Sequence, residues 1–315
     1  MKKTVTIKCI GFLKGLVLIV CFFYSNQLSA QQLINQDQPI IVDYEQAVVT
    51  APPVSLGLDP FYKKYTDAFG IPVVSSEKVP NSALLVARDI VNYMLLKRND
   101  IRTELIRRKA RLSIIGFTEM QTDLPECRDW KKPTKDDIRL TPNERENYDK
   151  PGGIAGMTDR QYWNQRARGM GGLQTSCAEE NLLGYPGTRY YGENITVHEF
   201  SHNIMGVLAK VDPILYAKIE PAYKAAKAKG LYKGQYAINT VAEYWAEGTQ
   251  WWFWSNVEFY DGNKRIQTPD ELKAYDPTLY NILDQVYPGH HIPTDVYYGR
   301  NLNSSQRKKI IVNYN

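Results

Sequence analysis

The chain has 315 residues, of which 43% are hydrophobic and 23% charged. That balance excludes a disordered, coiled-coil or repeat protein and suits one large domain or two modest ones. The formal net charge of +5 falls to +1 without the first thirty residues, which carry Lys2, Lys3, Lys8 and Lys14 and no acids, so basicity gives no ground for a nucleic-acid partner.

In chain order, Lys2 and Lys3, the apolar run at 16–24 and Leu28-Ser29-Ala30 have the layout of a cleavable secretory signal ending near Ala30. The run is shorter than the roughly 20 residues of a membrane span, so the expectation is an exported chain without stable membrane insertion after signal removal. Residues 31–55 read as an extended lead-in, and 56–315 as a single domain. Asp59-Pro60 is expected to start a short helix through Tyr65, and residues 71–74 are extended. Leu84, Leu85, Ile90, Val91, Met94 and Leu95 predict an amphipathic helix over 81–98, with a second over 101–109. Arg111 to Gly116 predicts a strand. Residues 117–192 lack periodicity and are rich in Gly, Pro, Asp and Arg, which points to functional loops. Their glycine clusters, Gly169-Met170-Gly171-Gly172 among them, match no phosphate-loop pattern.

From 193 the pattern turns helical, with helices over 193–210, 212–229 and about 239–256. Thr268-Pro269-Asp270-Glu271 is a capping box with proline at the first helical position, and Asp276-Pro277 starts another helix, to about 287. The tail 288–315 reads as irregular. The fold class is therefore α+β, with a small mixed sheet in the N-terminal half and a mainly helical C-terminal half. After signal removal only Cys127 and Cys177 remain. Two cysteines in an oxidising compartment are expected to pair, and neither lies in a Cys-x-x-Cys zinc pattern.

The residues that carry chemistry are His198-Glu199-Phe200-Ser201-His202. Histidines four apart share one helical face, one turn apart, and can reach one zinc ion at about 2.0–2.1 Å. Glu199 is rotated by about 100° from His198, so it can serve a zinc-activated water as general base without binding the metal. A third protein ligand is needed. Met205 and Leu208 exclude the metzincin continuation, and His290-His291 sits in a Pro-Gly-His-His turn with no rigid element under it. Glu243 and Glu247 share a face of a mostly apolar helix, where acids need partners. One can bind zinc while the other orients a ligand imidazole.

This arrangement resembles the lethal-factor-like group of gluzincin metallopeptidases, which includes the pro-pro endopeptidases. The match lies at the His-Glu-Phe-x-His helix and at Tyr236, Glu243, Tyr244, Trp245, Ala246 and Glu247, within residues 190–287. Ser176-Cys177-Ala178-Glu179-Glu180-Asn181 and Tyr190-Tyr191-Gly192-Glu193-Asn194 also resemble a secreted branch without a defined substrate. The resemblance implies a zincin-like catalytic domain and one catalytic Zn2+, held by His198, His202 and Glu243. It places Glu247 behind a ligand and makes Tyr236 a hydrogen-bond donor to the developing oxyanion. It further implies a peptide or protein substrate. In such peptidases an edge strand above the metal binds the substrate backbone by strand addition. The candidate is Arg111 to Gly116, bringing Ile114, Ile115 and Gly116 to the substrate, with an internal sheet strand as the alternative. A non-catalytic surface protein on the same scaffold, or a zinc hydrolase of another amide or ester, are the competing functions.

Overall fold

The structure, a computed structural model, describes residues 48–289 except 139 and 141. The expected signal segment, most of the expected lead-in, and the tail with His290 and His291 lie outside the described residues. The architecture is mixed α/β around a five-stranded mixed sheet in the order β1-β2-β3-β5-β4. Its strands are β1 (Lys64–Ala68), β2 (Ile71–Ser75), β3 (Arg111–Ile115), β4 (Gly169–Met170) and β5 (Gln174–Ala178). β1 pairs antiparallel with β2, while β2, β3 and β5 run parallel. β4 folds back antiparallel on the outer side of β5, with Gly169 opposite Cys177 and Met170 opposite Ser176.

The helices are α1 (Asn81–Met94), α2 (Asn99–Arg107), α3 (Asp159–Arg166), α4 (Ile195–Val211), α5 (Ile219–Ala228), α6 (Val241–Trp252), α7 (Pro269–Tyr275) and α8 (Pro277–Leu283), with shorter helical turns between. A small hairpin, β6 (Phe259–Asp261) with β7 (Lys264–Ile266), connects α6 to α7. Among the described residues no helix is long and apolar enough to cross a membrane.

Successive residues of a strand face opposite sides of a sheet, and the two sides here bury different clusters. Val73, Ile114 and Cys177 point into the main core with α1, α4 and α6. Val74, Ile115 and Ala178 point the other way, onto Tyr62, Leu124 and Cys127. Burial on both faces explains why β3 reads as a nearly continuous apolar run. Its buried polar member, Ser113, is met by the Tyr62 hydroxyl at 3.0 Å.

This topology overturns three expectations. β3 is an internal strand paired on both sides, and Ile114 and Ile115 are fully buried, so neither they nor Gly116 offer an edge to a substrate. Gly116 is also engaged, its N–H donating to Glu119 and its carbonyl accepting from Arg168. Cys127 and Cys177 are both free and buried. They belong to clusters on opposite faces of the sheet, which separates the thiols. Finally, Asp59 caps a turn by accepting from the Phe61 N–H at 2.8 Å, and the chain then enters β1 instead of a helix.

The helical expectations fare better. The run over 81–98 ends at Met94 and restarts at Asn99. The segment 212–229 divides into a short turn, Pro213–Tyr216, and α5. The capping box forms as expected, with Thr268 accepting from the Glu271 N–H and Glu271 accepting from the Thr268 N–H.

Candidate metal centre

α4 begins on a built anchor. The Asn194 side chain caps it by accepting from the Val197 N–H. Asn181, in the turn after β5, accepts from the Ile195 N–H at 2.8 Å and donates to the carbonyls of Tyr190 and Glu193. Phe200, Ile204, Val207 and Leu208 bury one side of the helix, leaving His198, Glu199 and His202 on the side that faces a cavity of about 670 Å3. α6 packs beside α4, pinned by the Trp245 indole N–H donating to the Ser201 carbonyl at 2.9 Å. Its first turn is capped by Thr240, which accepts from the Glu243 N–H.

This packing brings together His198, His202 and Glu243, whose donor atoms all lie within 4.8 Å of one another. Glu243 Oε2 is 3.0 Å from His198 Nε2 and 3.8 Å from His202 Nε2. Two imidazoles and a carboxylate at that spacing fit a single ion about 2 Å from each donor. The set could hold a metal ion.

The tautomer of His198 is set from behind. Gln250 donates its amide to the Asn194 carbonyl at 3.1 Å, which turns its own carbonyl oxygen to His198 Nδ1 at 2.9 Å. A proton is therefore favoured on Nδ1, and Nε2, 3.0 Å from Glu243 Oε2, is the nitrogen whose lone pair would face the cluster once its own proton is given up. Glu247, expected in this supporting role, is 3.5 Å from the same nitrogen. Its other oxygen accepts from Gln235 at 2.7 Å and from Asn256 at 2.8 Å. Gln235 in turn accepts from the Ala237 N–H, so Glu247 braces the turn that carries Tyr236. Gln250 was not singled out from sequence. A signal existed: 243, 247 and 250 follow the i, i+4, i+7 rule of one helical face.

Burial opposes charge on His198, but Glu243, Glu199 and Glu247 outweigh it and raise its pKa. Glu243 moves the opposite way: His198 and His202 lower it in spite of burial. His202 is driven down to about 4 by burial and by the neighbouring charge of His198. Burial pushes Glu199 up to about 7, although the charge of His198 and the Gly171 N–H both favour the carboxylate. Tyr236 lines the same cavity and is 54% exposed as a residue. Burial of its hydroxyl, with Glu243 close by, raises it to about 12, so at neutral pH it is an O–H donor.

Over the cluster lies β4, the sheet edge. A methyl group on Gly169 would come within 2.5 Å of Ile195 Cγ2, and one on Gly171 within 2.8 Å of the His202 ring. The glycine cluster that matched no phosphate loop is what lets the edge backbone lie against α4.

No family model matches the chain, and no curated protein matches it. Among solved structures it is similar to the pro-pro endopeptidase PPEP-2 from Paenibacillus alvei, with a TM-score of 0.44 and 13% identity, over 68% of this chain and 97% of that one.

Proposed function

We propose that the chain is a secreted, zinc-dependent peptidase of zincin type. One observation carries the reading: Glu199, a carboxyl that pairs with no arginine or lysine among the described residues, lines the cavity beside a two-histidine, one-glutamate cluster. The nearest basic side chain is His202, at 3.9 Å, whose imidazole is neutral near pH 7. A purely structural metal site has no need of such a base.

His198, His202 and Glu243 would hold the ion. Bound there, zinc supplies Lewis-acid polarisation and acidifies a water to near neutrality. Glu199 takes the proton of the attacking water and returns it to the leaving nitrogen. Tyr236 donates its O–H to the carbonyl oxygen as that atom gains charge. With β3 internal, the substrate backbone pairs instead with the outer side of β4, which both edges the sheet and lines the cleft.

The test is zinc stoichiometry and peptide hydrolysis on the purified chain. Glu199→Gln should keep one zinc per chain and lose about 10²–10⁴-fold in kcat. A chain that takes up no zinc overturns the reading; full activity in Glu199→Gln overturns the base while leaving the site.

A further inference from the structure

The reaction leaves two cations of the cleft unused. Arg166, at the end of α3, and Arg189, in the loop before α4, both line the cavity that holds His198 and Glu199. They stand side by side, because Arg189 Nη1 donates to the carbonyl of Gln165, the residue before Arg166.

Their charges are unequally spent. Arg166 forms an ion pair with Glu144 at 3.0 Å. Arg189 pairs with no carboxylate among the described residues; its guanidinium lies over the Tyr190 ring, 5.0 Å from the centroid. A guanidinium carries five N–H donors, and the Gln165 carbonyl takes up one of its nitrogens. Arg189 is exposed, but the backbone that carries it is anchored. Its loop is clamped on the far side of Tyr190 by Asn181, which donates to the Tyr190 and Glu193 carbonyls at 3.1 and 2.9 Å, and Thr188 Oγ1 donates to the Tyr185 carbonyl at 2.8 Å. An arginine on an anchored loop, packed over Tyr190 and with spare donors at the lining of a cleft, suits a planar anion, which it can bind bidentately.

We infer that the cleft contains a carboxylate subsite formed by Arg189 with Arg166 beside it, so that the preferred substrates are acidic peptides. This rests on the peptidase reading for its biological sense, but carboxylate recognition can be measured without hydrolysis.

The zinc-loaded Glu199→Gln protein is used as a trap. A decapeptide library is bound to it, and the recovered peptides are remade as matched Glu and Gln versions, each with a free or amidated C-terminus. The Glu version should bind about tenfold more tightly than its Gln partner, and the ratio should shrink as salt rises. If instead the free-acid forms outbind their amides while the Glu and Gln versions bind alike, the bound carboxylate is the terminal one, and the preference for acidic side chains is overturned. Adding Arg189→Ala should bring the ratio close to one, Arg189→Lys should leave it between the two, and Arg189→Glu should favour Lys-bearing peptides. The ratio is internal to each variant, so a loss of folded protein does not move it. Equal binding of all matched pairs, or a ratio unchanged by Arg189→Ala, overturns the inference. Preferential binding without hydrolysis by the unmutated chain would overturn the peptidase reading and leave the carboxylate subsite standing.

Discussion

At the scale of single residues, the ligand histidine is held by a neutral amide. Gln250 accepts from His198 Nδ1–H and is itself fixed by the Asn194 carbonyl, so a residue of α6 and the N-cap of α4 together lock one imidazole. An orienting partner of a ligating histidine typically contributes a factor of about 10–100 in metal affinity. Gln250→Ala should therefore weaken zinc binding by about that factor in competition with a chromophoric chelator, and Gln250→Glu, which restores an acceptor, should recover most of it. Equal affinity in the alanine variant would mean that Glu247, at 3.5 Å from the same nitrogen, suffices. The motif His198-Glu199-x-x-His202 was legible because local spacing alone dictates its geometry. The amide behind it was not, because what selects Gln250 over Glu247 is how α6 is rolled against α4, and that is decided by Trp245 reaching the Ser201 carbonyl.

At the scale of elements, the site depends on an edge strand lying against a helix. β4 is two residues long, and its closeness to α4 requires glycine at 169 within it and at 171 just after it. Gly171→Ala would press a methyl group against His202, so the ring must turn or the strand must lift. The expected outcome is a loss of zinc affinity with far-UV circular dichroism unchanged, since the change is local. Zinc binding as tight as in the unmutated chain would show that β4 yields easily.

Legibility across the elements divides on how local the signal is. α1, α4 and α6 carry their own apolar faces and were readable. β5, Gln174-Thr-Ser-Cys-Ala, has no alternation of its own; it is a strand because β3 and β4 flank it and because its Thr175 and Ser176 hydroxyls find partners in Asn203 and Gln121. Without β5, the sequence could not show that Arg111 to Ile115 is internal, nor that Cys177 and Cys127 face opposite ways. α1 ends early for a similar reason: Leu95 continues the apolar pattern, but it serves a turn buried against the core.

At the scale of the whole molecule, the buried ionisable groups of the site tie folding to pH. α6 is joined to α7 and α8 by Asp276, which caps α8 at the Leu279 N–H and accepts from Tyr244 at 2.6 Å and Tyr232 at 3.2 Å. The metal face of α6 is therefore backed by a satisfied polar network. Glu193, by contrast, is enclosed at a cost. Burial, reinforced by the charge of Glu247, pushes it from 4.5 up to about 7, with His198 and the Gln250 amide pulling the other way. Below about 4.5 the group is protonated in both folded and unfolded chains and contributes nothing. Between about 4.5 and 7 the folded chain keeps a proton that the unfolded chain has lost, so stability falls as pH rises through that window and levels off above it. Glu193→Gln removes this dependence. In chelator-containing buffer, the urea midpoint of the variant relative to the unmutated chain should rise between pH 4.5 and 7 and stay level from 7 to 8.5. Titration of the other groups is common to both proteins and largely cancels in the difference. Parallel midpoint profiles would mean that Glu193 ionises in the folded chain as readily as in the unfolded one, and that the enclosure seen around it does not cost the protein stability.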